Sequence, residues 1–255
     1  MNTAMNRIAA AMLCALLTLA GAAQATDVTL NGPLTLAADL IFSTPTSHHL
    51  QGNGNTLTLN GYNILIGANA TLYMIDVDIN GVNGTNIRCL DATGTIVLQR
   101  VRYGMDGDYA FSIGSLRVAS DSEIRGPYTF SFTSADNLDI SSFARFRVPW
   151  GTTFIYDPVN DGRTNMVFED RSAELYLDGG TFEAPADGVA LTKGTLVIGN
   201  SVVIRNYDGA TPNTNANKAI TLGDGVNAAN DMRVLTLPGA RLQTEGYLHT
   251  RNVGP

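Results

Sequence analysis

The sequence predicts an all-β parallel solenoid of about ten short-stranded turns. Three observations carry this reading. After the first 25 residues, apolar residues alternate in short runs and show no helical period. An apolar-x-apolar pair followed by a turn and another apolar residue recurs along the chain, with a period near 20–24 residues. Asn and Gly stand where corners are needed, as in Asn60-Gly61, Asn80-Gly81 and Asn83-Gly84, and both tolerate left-handed backbone.

Residues 1–25 read as an export signal. Arg7 supplies the positive charge, Ile8 to Leu19 the apolar core, and Ala23-Gln24-Ala25 the small-x-small cleavage site. That core is shorter than the ~20 residues a bilayer requires. The expected mature domain, 26–255, contains no long apolar segment, so no integral membrane segment is expected in it. Its address is the periplasm, the cell surface or the extracellular space.

The mature part keeps 15 basic against 23 acidic residues, a net charge of −8. An acidic surface of this kind disfavours nucleic acid, anionic membranes and polyanionic substrates, unless a cation bridges them. Only Lys193 and Lys218 are lysines. With Cys14 in the signal, Cys89 is left alone and no internal disulfide is expected. Flanked by Ile87 and Leu90, it reads as a small buried apolar residue.

The clearest unit is Thr56 to Gly81. Aligned units place together Leu34, Leu36 and Ile41; Leu57, Leu59 and Ile64; Leu72, Met74 and Ile79; and Ile96, Leu98 and Tyr103. Leu116, Val118 and Ile124 follow, then Leu138, Ile140 and Phe146, and Leu175, Leu177 and Phe182. Leu196, Ile198 and Ile204 come next, with Leu235, Leu237 and Leu242 last. One such turn cannot bury its inward side chains alone; stacking turns at ~4.8 Å covers them and extends the sheets. An antiparallel sandwich is the competitor, because Asn60-Gly61 between apolar runs also suits a two-residue hairpin.

These units, the Asn-rich corners and the export signal resemble the pectin-lyase-like superfamily of parallel β-helix proteins. The resemblance implies a single-stranded right-handed β-helix. It is one of fold pattern: the Gly-His-Gly, Asn-Thr-Asp and Asp-Asp strings of that group's hydrolases do not occur here.

Candidate chemistry is sparse. The three histidines are His48, His49 and His249, and the first two fall in TPTSHHLQG, read as a solvated loop. Asp76 and Asp78 lie two apart in MIDVDING, and Arg100 and Arg102 occupy equivalent places in the next unit. Asp78, Arg102, Glu123 and Arg145 align in one column, a pattern that satisfies cross-strand charge on an exposed face. The resemblance gives this face a second reading: a lyase groove with Asp76 and Asp78 on Ca²⁺ and Arg100 or Arg102 as base.

Arg145 to Arg171 is the most irregular stretch and holds Trp150, Tyr156, Asp157, Asp161 and Arg163, an aromatic-and-carboxylate set suited to sugar rings. The alternative for Trp150 is packing with Phe154 over a widened turn. Asn206 to Asn217 reads as a flexible loop.

The expected protein is therefore an exported, non-enzymatic surface or envelope module that contacts a polysaccharide or a protein and needs no cofactor. A Ca²⁺-dependent polysaccharide lyase and a subunit of a fibre or spike are the alternatives.

Overall fold

A computed structural model describes residues 23–24, 27–159, 163–185, 187–209 and 211–253. Most of the expected export signal lies outside these residues, as does Asp161. The chain is all-β and about 2% helical, wound as a parallel solenoid of about nine turns. No helix among the described residues is long and apolar enough to cross a membrane.

Each turn lays one short strand on each of three sheets. The first sheet runs through Asp27–Thr29, the opening parts of Ser47–Thr58, Thr71–Gly84 and Thr95–Phe111, then Ser115–Val118, Leu138–Ile140 and Met166–Phe168. Its inward row is Val28, Leu50, Met74, Leu98, Val118, Ile140 and Phe168, all buried. The ladder of Val189–Leu191, Ile220–Leu222 and Leu248–Thr250 carries this side through the last turns.

The second sheet stacks Leu34, Leu57, Ile79, Tyr103 and Ile124 in register. It continues through Arg145–Pro149, Glu174–Asp178, Thr195–Gly199 and Arg233–Thr236.

The third side begins with Ala23–Gln24, Leu40–Phe42, Ile64–Ile66 and Ile87–Cys89 and becomes aromatic in later turns. Tyr109, Phe130 and Phe154 stack at centroid spacings of 5.5 and 5.4 Å, and Phe182 follows at 5.4 Å with its ring tilted by 45°. Phe111, Phe132 and Tyr156 form a parallel pile at 5.7 Å per step. The ladder spacing of ~4.8 Å fixes one ring above the next, and offset stacking accommodates the remainder.

Three features differ from the sequence reading. First, the aligned units are not all in one phase. Leu34 and Leu57 register with Ile79, not with Leu72, so the first two units lie on the second sheet while Leu72 to Leu138 lie on the first. Each turn carries three apolar-x-apolar pairs at similar separations, so the pattern fits either neighbouring pair of sheets.

Second, TPTSHHLQG is not a loop. Ser47–Thr58 is a strand, His48 is buried against Phe42, and its Nε2 lies 2.9 Å from Thr44 O. His49 points outward and stacks on Tyr73. Third, Asn206 to Asn217 contains the antiparallel pair Tyr207–Asp208 and Thr211–Pro212 and a 3-10 turn at Ala216–Lys218, anchored by the buried Asn206.

Cys89 is buried, and desolvation first, then the Asp136 charge, pushes its thiol up to about 12. The thiol is closely packed as well: a Cβ on Gly94 would lie 2.9 Å from the Cys89 Cβ.

Candidate functional site

The outward side chains of the second sheet, together with its first corner, form a groove of about 440 Å³. Asp76, Asp78, Arg100, Arg102, Asp121, Glu123, Arg145, Arg147 and Tyr176 line it. Strand alternation places Val77, Val101 and Ile124 in the core and leaves the charged residues between them outside. Asp76 and Arg100 sit at the corner itself, with φ of 51° and 56°. This left-handed residue lets Ile75 and Asp76 both avoid the core before Val77 turns in. Asp tolerates the conformation, whereas Arg adopts it at a cost of roughly 1–2 kcal/mol.

Asp78 and Arg102 are register partners, with Arg102 Nη1 donating to Asp78 Oδ2 at 3.0 Å. Arg100 Nε stands 3.6 Å from Asp76 Oδ1. Arg125 lies 3.7 Å from Asp78 and 3.6 Å from Glu123.

The column continues through Arg147 and not Arg145. Glu123 registers with Arg147, whose Nη1 donates to it at 2.8 Å, and Arg147 in turn binds Asp178. Arg145 belongs one pleat earlier and donates to Glu174 at 2.7 Å. The aligned Phe146 matches Leu175, while Ile124 lies one step from the Glu123–Arg147 pair and so beside Val148. That shift moves the arginine by two.

Tyr176 registers with Arg147, and the guanidinium carbons of Arg145 and Arg147 lie 5.1 and 5.8 Å from its ring centroid. Burial pushes the Asp178 carboxyl up, but hydrogen bonds from Arg147 and Asn200 outweigh it and hold the group below its ordinary value. The hydrogen bond to Asp178 likewise raises Arg147.

Two large aromatics flank the strand Arg145–Pro149. Phe143, at φ 61°, is 86% exposed at one end, and Trp150 is 80% exposed at the other. Trp150 does not pack with Phe154, which is buried in the aromatic pile. It stands over Gly179 of the next turn, where an added Cβ would meet the Trp150 Cβ and Cδ1 at 3.2 Å.

The remaining residues suggested by the sequence are dispersed. Tyr156 is buried on Phe132, out of reach of a ligand. Asp157 is exposed on the third side, its carboxyl raised by partial burial and then by Asp187. Arg163 donates to the carbonyls of Asn217 and Ala219, strapping that insertion to the solenoid. Tyr176 and Arg147, which complete the groove, were not singled out by sequence. Their signal is the alternation in RFRVP and ELYLD, readable only once the two segments are known to stack.

No known family, curated protein or solved structure matches the chain.

Proposed function

We propose that the chain is an exported, non-enzymatic β-helix module of the pectin-lyase-like type. It binds an extended polysaccharide across the outer face of its second sheet. The observation that carries this reading is Trp150, exposed at the end of the strand that also presents Arg145 and Arg147 to the groove. An exposed, rigid aromatic beside charged hydrogen-bonding groups suits sugar rings, which offer an apolar face and a polar edge.

The pairing of the groove's central carboxylates supports a binding role. Asp78 and Glu123 are each held by two guanidinium groups, and no histidine lines the groove. The convergence of Asp76, Asp78, Arg100 and Arg102 favours the lyase as second reading.

Trp150 is the sole tryptophan, so its emission reports directly on the site. Titration with neutral and uronate polysaccharides is expected to shift that emission to the blue saturably, and Trp150→Ala is expected to lose binding in a pull-down. Unchanged emission with every polysaccharide would remove this reading. Unsaturated product released from a polyuronate would replace it with the lyase.

A further inference from the structure

One aromatic beside the groove is held in a conformation that its side chain does not favour. The corner between the first and second sheets takes left-handed backbone in several turns, at Asn53, Asp76, Arg100 and Phe143. Asn and Asp adopt it readily, and Arg100 lies beside the Asp76 carboxylate. Phe143 has neither advantage. Its φ is 61° and it is 86% exposed, so burial offsets none of the strain. Strain that folding does not explain points to function.

The next turn braces this corner. Phe143 N–H donates to Ser172 Oγ at 2.8 Å, and Ser142 N–H donates to Glu169 Oε2 at 3.1 Å. The Ser142 hydroxyl donates to Asp170 Oδ2 at 2.7 Å, while Ser172 donates to Asp170 Oδ1. Ala144 N–H closes the turn on Ser141 O at 3.0 Å. The main chain beneath the ring is therefore pre-organised, which lowers the ordering cost of a contact made by the ring.

From Phe143 the chain runs through the strand Arg145–Pro149 to the exposed Trp150. Seven residues separate the two rings, a span of at most about 25 Å. Arg145, Arg147 and Pro149 alternate outward between them. The groove lining holds four carboxylates and four arginines, so it has no excess charge with which to select an anion.

We propose that Phe143 and Trp150 are two stacking subsites for one neutral polysaccharide chain, which lies along Arg145–Pro149 and so crosses the solenoid instead of following its axis. The inference rests on the polysaccharide-binding reading above and adds to it a second contact residue, a direction and a charge class. A sugar ring offers each aromatic an apolar face, and the hydroxyls between the two stacked sugars meet Arg145 and Arg147. Linked subsites act together only when one ligand reaches both, so affinity depends on ligand length.

The test titrates the full chain with cello-, xylo- and manno-oligosaccharides of graded length, and with oligogalacturonates as the anionic counterpart, following Trp150 emission. Affinity for a neutral series is expected to step up about tenfold at the length that spans both rings. Phe143→Asn should remove the step and leave the short ligands binding as before. Because Asn suits left-handed backbone, this variant should melt no lower than the wild type. A wild-type series without a step, a step that survives in Phe143→Asn, or tighter binding of the oligogalacturonates would each overturn the inference and leave Trp150 as a sugar contact. A lower melting temperature in Phe143→Asn would give the ring a packing role and overturn it too. Emission unchanged by all of these ligands would overturn it together with the reading on which it rests.

Discussion

Arg147 Nη1 donates to Glu123 Oε2 at 2.8 Å, one turn back along the solenoid. The same guanidinium binds Asp178 one turn forward, so a single side chain ties three turns together. Both carboxylates are largely shielded, at 15% and 11% side-chain exposure, whereas the Asp78–Arg102 pair, which directly precedes Glu123 in the same column, is more open. Shielding decides what such pairs contribute, because a charge left without its partner costs more where water cannot replace it.

Arg147→Met should therefore destabilise the protein by about 1–3 kcal/mol, the range for leaving a shielded polar partner unsatisfied. Arg102→Met, in an exposed pair, should cost about 0–1 kcal/mol. Urea denaturation of the two variants measures both. Equal losses would mean that Glu123 and Asp178 find water or other partners as readily as Asp78 does.

Two carboxylates should show opposite pH dependence. Asp178 has a folded pKa below its unfolded value, because hydrogen bonds from Arg147 and Asn200 outweigh its burial. Its stabilisation is present above the unfolded value of ~3.9 and is lost as pH falls through the lower folded one. Glu183 is raised, first by burial, with Glu245 and Asp157 adding to it against the opposing Arg205. The folded state favours its protonated form, so stability is greatest below ~4.3 and declines as pH rises through the folded value. Glu183→Gln should raise the melting temperature at pH 7 and leave it unchanged near pH 3. Asp178→Asn should lower it at pH 7, with the deficit shrinking in acid. Parallel responses of the two variants would contradict these assignments.

The sequence made the solenoid legible because burial leaves a period. Leu98 between Met74 and Val118 is inward as the alternation demands. The phase between sheets was not legible, since Leu57 and Leu72 sit in similar local patterns but on different sheets. Only the pairing between turns separates them. The charged face was visible in Asp76, Asp78, Arg100 and Arg102, which lie within runs that keep one register from Thr71 to Asn80. It was misread by two residues at Arg145, where the register had to cross the longer segment between Ile124 and Phe146. Tyr156 illustrates a different limit. A tyrosine in an irregular segment looks like a ligand platform, but its place in a ring pile depends on Phe132, a full turn away.

Calcium separates the binding module from the lyase. A site for Ca²⁺ gathers six to eight oxygens at 2.3–2.6 Å. Asp76 and Asp78 do face one groove, but Arg100 stands 3.6 Å from the first, and Arg102 and Arg125 stand 3.0 and 3.7 Å from the second. A divalent cation entering there would have to displace guanidinium groups already neutralising both carboxylates, and it would meet their repulsion as it approached. Millimolar CaCl₂ is therefore expected to leave the melting temperature unchanged, and Asp78→Ala to behave alike with and without it. Ligand that binds the folded state must raise stability as occupancy rises. An upward shift with added calcium that disappears in Asp78→Ala would show that the arginines yield, and would move Arg100 and Arg102 from ladder partners to candidates for proton removal.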